Sequence, residues 1–241
     1  MSVSGSGQGK VAVITGGGSG IGLAMARIFA ASGYSVFITG RGAKRLQDAA
    51  AKISGNKQQV TGISCDVRDP VSVENLFQQI GKHHSTIDVL INNAGVAHAL
   101  APVDQLLVET WKDVIETNLT GTFLVTRAAL PLMRAGGTII NNLSVAALQP
   151  FAGMAAYNAS KFGALGFTHA LREDLRKRGI RVVALLPGAT DTDIWNQFWA
   201  GAPKEKMISA ETVAQAVLHV VSLPANSTIE EIRIGPAAGV L

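Results

Sequence analysis

Short runs of β-branched and aliphatic residues alternate with longer stretches whose apolar positions recur every three to four residues, and this alternation persists from Val11 to Ile234. A strand covered on both faces reads as a short continuous apolar run, and an amphipathic helix as a stripe. The alternation therefore predicts an α/β fold, a parallel sheet with crossover helices. The predicted strands are Val11–Thr15, Val36–Thr39, Val60–Cys65, Val89–Asn92, Thr138–Leu143, Arg181–Leu186 and Glu231–Ile234. The predicted helices are Ile21–Ser32, Ala43–Ile53, Val71–Lys82, Leu106–Met133, Tyr157–Lys177 and Glu211–Ser222. No composition shift, repeat or linker divides the chain, so residues 1–241 are expected to form one domain, with the Ser/Gly-rich start, Met1 to Gly9, flexible. One stretch breaks the rhythm. Gly188 to Ser209 is long for a connection and carries Trp195, Phe198 and Trp199. Such loops are usually functional, and three large aromatics suit an apolar lid; the competing reading is one face of a short helix packed on the core or on another subunit.

Composition narrows the class. With 241 residues, 47% of them hydrophobic, the chain can bury a large core and is not a disordered sequence. No apolar run approaches a membrane span and the first residues carry no signal region, so a cytoplasmic protein without a membrane partner is expected. Cys65 is the single cysteine, which excludes an internal disulfide, and it reads as a small buried thiol. A net charge of +4 raises the question of nucleic acid, but the cations are scattered and aromatics are only 5%, so no nucleic-acid partner is expected. His83, His84, His169 and His219 lie on predicted helices without ligand spacing, and no metal is expected.

Two segments carry chemistry. After the first strand comes Thr15-Gly16-Gly17-Gly18-Ser19-Gly20-Ile21-Gly22, then a helix. Strand, glycine turn and helix N-terminus make an anion cradle, because unpaired amide N–H groups and the helix dipole face a phosphate that glycines allow to come close. The second segment holds Tyr157 and Lys161, four residues apart and so on one helix face, with Ser144 at the end of an apolar strand. A phenol that titrates at about pH 10 in water is expected to yield its proton more readily beside an ammonium, and Ser144 can polarise a carbonyl in the same volume.

Taken together, these residues resemble the single-domain branch of the short-chain dehydrogenase/reductase family. The match is Thr15-Gly16-x-x-x-Gly20-x-Gly22, Asp66, Asn92-Asn93-Ala94-Gly95, Asn118, Ser144, Tyr157, Lys161 and Pro187-Gly188, in order from about Lys10 to Gly235. The resemblance implies a Rossmann-type doubly wound parallel sheet of about seven strands, in the order 3-2-1-4-5-6-7 with helices on both faces, and a nicotinamide cofactor. It implies a catalytic tetrad of Asn118, Ser144, Tyr157 and Lys161, in which Lys161 also holds the nicotinamide ribose. Asn118 is expected either as a buried amide satisfied by backbone or as a kink holding a proton-relay water. Further cofactor contacts implied are Gly18, Ser19, Ile21, Asp66 with Val67 at the adenine, Asn93 to Gly95, and Pro187, Gly188, Thr190 and Thr192. His98 is a substrate candidate, with an exposed loop histidine as the plainer reading, and Trp195 is another.

The cofactor is expected to be NADP(H), with NAD(H) the lesser alternative. Gly40 stands where an NAD site carries a carboxylate, and Arg41 follows it, with Lys44 and Arg45 close behind; at least one of these two is expected to be a plain solvated helix start. The family also implies a homodimer or homotetramer, although the C-terminus lacks its frequent Asp-Gly-Gly ending. The leading expectation is thus an oxidoreductase acting on a small carbonyl or alcohol. The alternatives are a non-catalytic NADP-binding sensor or scaffold on the same fold, and an epimerase or dehydratase, for which the chain is short.

Overall fold

A computed structural model describes residues 7–54 and 59–239. Seven parallel strands form one sheet in the order β3-β2-β1-β4-β5-β6-β7. They are β1 (Val11–Thr15), β2 (Ser35–Gly40), β3 (Val60–Ser64), β4 (Ile87–Asn92), β5 (Met133–Asn142), β6 (Arg181–Pro187) and β7 (Glu231–Ile234). The helices are α1 (Gly20–Ala31), α2 (Ala43–Ile53), α3 (Pro70–Gly81), α4 (Val108–Ile115), α5 (Gly121–Ala129), α6 (Ala155–Arg176) and α7 (Ala210–Val221). Two cores flank the sheet. Side chains of α1, α2 and α7 close over one face, and those of α3, α5 and α6 over the other. Burial on both faces explains why the central strands read as unbroken apolar runs. The chain winds outward in both directions from β1 and β4, so the crevice at their carboxyl ends is where a ligand fits.

Two expectations need correction. The stretch predicted as one helix from Leu106 to Met133 is two helices joined by a π turn, Glu116–Thr120, and followed by a 3-10 turn, Leu130–Leu132. Pro131 lacks the N–H that α5 would need to continue. Met133, predicted to end that helix, instead opens β5, pairing with Ile87, and an irregularity between Ile87 and Val89 absorbs the residues before Thr138. The second concerns the amino terminus. Met1 to Ser6 lie outside the described residues, but Gly7 is buried: its N–H donates to Ser32 O at 3.0 Å, and a Cβ there would fall 2.0 Å from the Tyr34 ring. Gly7 is therefore part of the packed fold. Among the described residues no helix is long and apolar enough to cross a membrane.

Candidate active site

The glycine turn at the end of β1 is built by backbone conformation and by bracing from β4. Gly16 (φ +64) and Gly20 (φ +50) occupy the left-handed region that L side chains avoid. Thr15 Oγ1 accepts from the N–H groups of Asn93 and Ala94, both at 2.9 Å, and Asn93 Nδ2 donates to Thr15 O at 2.9 Å. Asn142 Nδ2 donates in turn to Asn93 Oδ1 at 2.8 Å. The Asn93 side chain thus holds the turn in place. Gly22 serves packing, since a Cβ there would stand 2.4 Å from Gly16 O. Ser19 caps α1 without a side-chain bond and no acid occupies the first turn, so the helix N-terminus keeps its amide donors and positive field for an anion. Thr192 closes this cradle from above, its Cγ2 3.2 Å from a Cβ placed on Gly20.

Tyr157 and Lys161 lie near the start of α6, both buried. Lys161 Nζ sits 5.5 Å from the centroid of the Tyr157 ring and donates to Asn142 O at 3.1 Å. Burial pulls the Lys161 ammonium down to about 8. Burial also pushes the Tyr157 phenol above its ordinary value, and the adjacent Ser144 hydroxyl draws it part of the way back. This corrects the expectation that Lys161 lowers the tyrosine pKa. The ammonium is directed to a backbone carbonyl and the ring face, and desolvation dominates both groups. Ser144 has extended backbone, and its Oγ accepts from Ala146 N at 3.1 Å, which fixes the hydroxyl at the head of a 3-10 turn.

Asn118 is the buried amide satisfied by backbone. It lies in the π turn, where the helix is kinked, and its side chain is fully engaged: Val96 N donates to Oδ1 at 2.8 Å, and Nδ2 donates to Val96 O at 2.9 Å and Ser160 Oγ at 3.0 Å. It ties the loop after β4 to the residue beside Lys161. Gly95 lets these groups converge, because a Cβ there would meet Asn118 Oδ1 at 3.3 Å and Lys161 Nζ at 3.8 Å.

The cleft runs from this point past the glycine turn to β2 and encloses about 860 Å³. At the β2 end Arg41 and Arg45 line it, with Arg45 lying over Gly18; Lys44 does not, and is the solvated one of the pair. Asp66 and Val67 line the adjoining recess. Asp66 is held below the usual carboxylate range by Arg68, whose guanidinium bonds both its oxygens and continues to Asp113. Sequence reasoning missed Arg68; its place two residues after Asp66 is the only signal it offered. Among the described residues the Thr39 and Thr117 hydroxyls are buried without a hydrogen-bond partner, and both residues line this recess. Open amides at the turn, cations at β2 and unpartnered hydroxyls between them fit an extended polyanion with a polar ring system, and a dinucleotide meets that description.

At the other end, Trp195 lies in a 3-10 turn, Asp193–Gln197, and its Nε1 donates to Thr190 O at 2.9 Å. Its ring centroid is 4.8 Å from that of Phe198 and 6.2 Å from that of Trp199. This segment lines the cleft, and Asp193–Gln197 forms a short 3-10 turn within it. Gln197 Oε1 accepts from Ala97 N at 2.8 Å, joining the flap to the loop after β4. Phe151, Met154 and Ile194 also line this end, none of them singled out from the sequence. Pro187, Gly188 and Thr190 line it too, with the Gly188 N–H already donated to Ile234 O at 2.7 Å and Thr190 Oγ1 to Gly188 O. His98 is corrected on both counts: it is buried, not an exposed loop histidine, and it is not among the residues lining the cleft.

The model of the family described as short chain dehydrogenase matches residues 10–202. The chain is 33% identical to a sulfoacetaldehyde reductase of Chromohalobacter salexigens, over 94% of this chain and 94% of that protein. It is also 33% identical to a serine 3-dehydrogenase of Agrobacterium fabrum, over 93% and 92%. A short chain dehydrogenase from Burkholderia cenocepacia, solved in complex with NADP, superposes with a TM-score of 0.86 at 34% identity, covering 94% of this chain and 96% of that one.

Proposed function

Because the chain belongs to the short-chain dehydrogenase family, we propose that it is an NADP(H)-dependent oxidoreductase interconverting a ketone or aldehyde and an alcohol, with Tyr157 as general acid and base. One observation carries the chemical part: the phenol of Tyr157, with the Ser144 hydroxyl beside it and Lys161 beneath its ring, opens onto the same cleft as the glycine cradle. The NADP preference rests on Arg41 and Arg45 standing at the β2 end, where a ribose 2′-phosphate would meet a planar donor fork.

The cofactor, when bound, supplies or accepts the hydride. The protein's own residues manage the proton and the charge. Burial keeps the Tyr157 phenol protonated across the physiological range, so it stands ready to protonate a carbonyl oxygen. Ser144 offers a fixed donor where negative charge develops on that oxygen. Lys161 would hold the ribose hydroxyls, and Asn118 fixes its neighbour Ser160 and the Val96 loop, the position from which a relay water would serve Lys161. The flap from Asp193 to Trp199 excludes bulk water.

The test is a panel of carbonyl compounds with the loss of NADPH absorbance as readout, beside a fluorescence titration of NADPH itself. Tight NADPH binding with no turnover on any carbonyl or alcohol would leave the sensor reading standing and remove this one.

A further inference from the structure

The end of the cleft around Tyr157 is lined by Ala146, Phe151, Met154, Ile194 and Phe198, and by Trp195, whose ring is tilted against that of Phe198 and edge-on to that of Trp199. Polar groups are present here, and the chain has already engaged most of them. Trp195 Nε1 donates to Thr190 O, and Gln197 Oε1 accepts from Ala97 N. The buried Asn158 behind the wall accepts from Phe151 N and donates to Ala146 O and Gln149 O. This leaves the Tyr157 and Ser144 hydroxyls, which a single carbonyl oxygen occupies, with the Gln197 Nε2 and the buried Asn142 Oδ1 the other cleft-lining amide atoms without a partner among the described residues.

The charged residues of the cleft do not alter this. Arg41 and Arg45 lie at the β2 end, and Lys161 is directed to Asn142 O. Asp193 is exposed and repels an anion. Arg233 lines the same cleft but is exposed on the edge strand β7, whose backbone lies two strands from β5 and so roughly 10 Å across the sheet. A carboxylate or sulfonate next to the carbonyl would be stripped of water against apolar side chains, and of the cations lining this part of the cleft among the described residues Lys161 is held by Asn142 O and Arg233 stands on the exposed edge strand.

Resting on the oxidoreductase reading above, we infer that the substrate is an uncharged ketone bearing an aryl or bulky alkyl group, and that the site rejects keto acids. The apolar group lies against Phe151, Met154 and Phe198, where rings gain contact with rings. One ketone, one NADPH and one proton give one secondary alcohol and NADP+: the carbonyl carbon receives the hydride, its oxygen the Tyr157 proton, and the tyrosinate left behind takes a proton from solvent. The substrate class then differs in charge from the substrates named for the sulfoacetaldehyde and serine enzymes, although the fold and cradle are shared.

The experiment compares ethyl benzoylformate with benzoylformate, a neutral ester and its acid with the same ring and the same activated carbonyl. The expected result is a kcat/KM for the ester about a hundredfold or more above that of the acid. Phe198→Ala is expected to raise KM for the ester about tenfold with little change in kcat. A saturable quench of tryptophan emission by the ester, and none by the acid, gives a readout that does not depend on turnover. Equal or faster turnover of the acid would overturn the inference while leaving the oxidoreductase reading intact, and loss of acid activity in Arg233→Ala would then identify the anion's partner. NADPH consumption with no carbonyl compound at all would overturn both.

Discussion

Tyr157 and Lys161 are both buried against their own charged forms, and the consequences can be measured at single residues. Lys161 titrates at about 8 in the fold against an ordinary 10.5. Between those values the unfolded chain binds the extra proton, so stability rises with pH across that window, and below it the buried ammonium costs on the order of 3 kcal/mol. Lys161→Met is therefore expected to melt higher than wild type at pH 7 and to lose the rise between pH 8 and 10, while losing activity; melting curves at several pH values check this. Tyr157 has the opposite sign, because a raised phenol pKa adds stability that fades only above about pH 10. Tyr157→Phe should lower kcat by 10²-fold or more, the scale of a lost general acid, and leave NADPH affinity nearly unchanged; a variant keeping more than about a tenth of the rate would remove Tyr157 from its role. Arg41→Ala should reduce kcat/KM for NADPH by about ten- to a hundredfold, the worth of one or two charge-assisted bonds, and leave NADH untouched. Equal use of both cofactors by the wild type would refute the NADP assignment.

At the level of elements, the glycine turn is held by close approach as much as by φ angles, and Gly22 tests this. A methyl group there would stand 2.4 Å from Gly16 O and 2.5 Å from Asn93 Nδ2, so α1 must move away from β4. Gly22→Ala is expected to cost roughly 1–3 kcal/mol, lowering Tm by on the order of 5 °C, and to weaken NADPH binding together with stability. The glycine pattern, the strand ends and the Tyr157–Lys161 spacing were legible because each follows from local rules. The strands β1 and β7 and helix α2 fall at the residues their apolar runs mark. What was hidden depends on partners distant in sequence. The π turn exists where Asn118 captures Val96, twenty-two residues away, and no periodicity in Leu106 to Met133 announces it. Arg68 could not be read as the partner of Asp66 and Asp113 until the loop after β3 met α4. His98 looked exposed because a loop position carries no burial signal of its own. The apolar wall of Phe151, Met154 and Ile194 was equally silent, since single hydrophobic residues in connections do not say which cavity they face.

The molecule as a whole shows one surface that a lone protomer leaves unexplained. On the outer side of α4, α5 and α6, Val108, Trp111, Phe123 and Phe162 are exposed, with Trp111 41% and the two phenylalanines 45% accessible, and Phe123 lies edge-on to Phe167 of α6 at 6.1 Å. Isolated surface hydrophobics are ordinary, but three large aromatics on one helical layer are a patch of the sort that partners cover. These helices also carry Asn118 between them and Tyr157 at the start of α6, so whatever rests on this layer also stiffens the site. We expect a second copy of the chain, in a homodimer or homotetramer, because symmetric association buries the same patch twice and soluble oligomers are mostly of this kind. Sedimentation velocity at micromolar concentration should show no monomer. The double variant Phe123→Glu and Phe162→Glu, which places unpaired charges in a face-to-face contact, should shift the protein to monomer and lower its melting temperature. A wild type that sediments only as monomer would reject the interface.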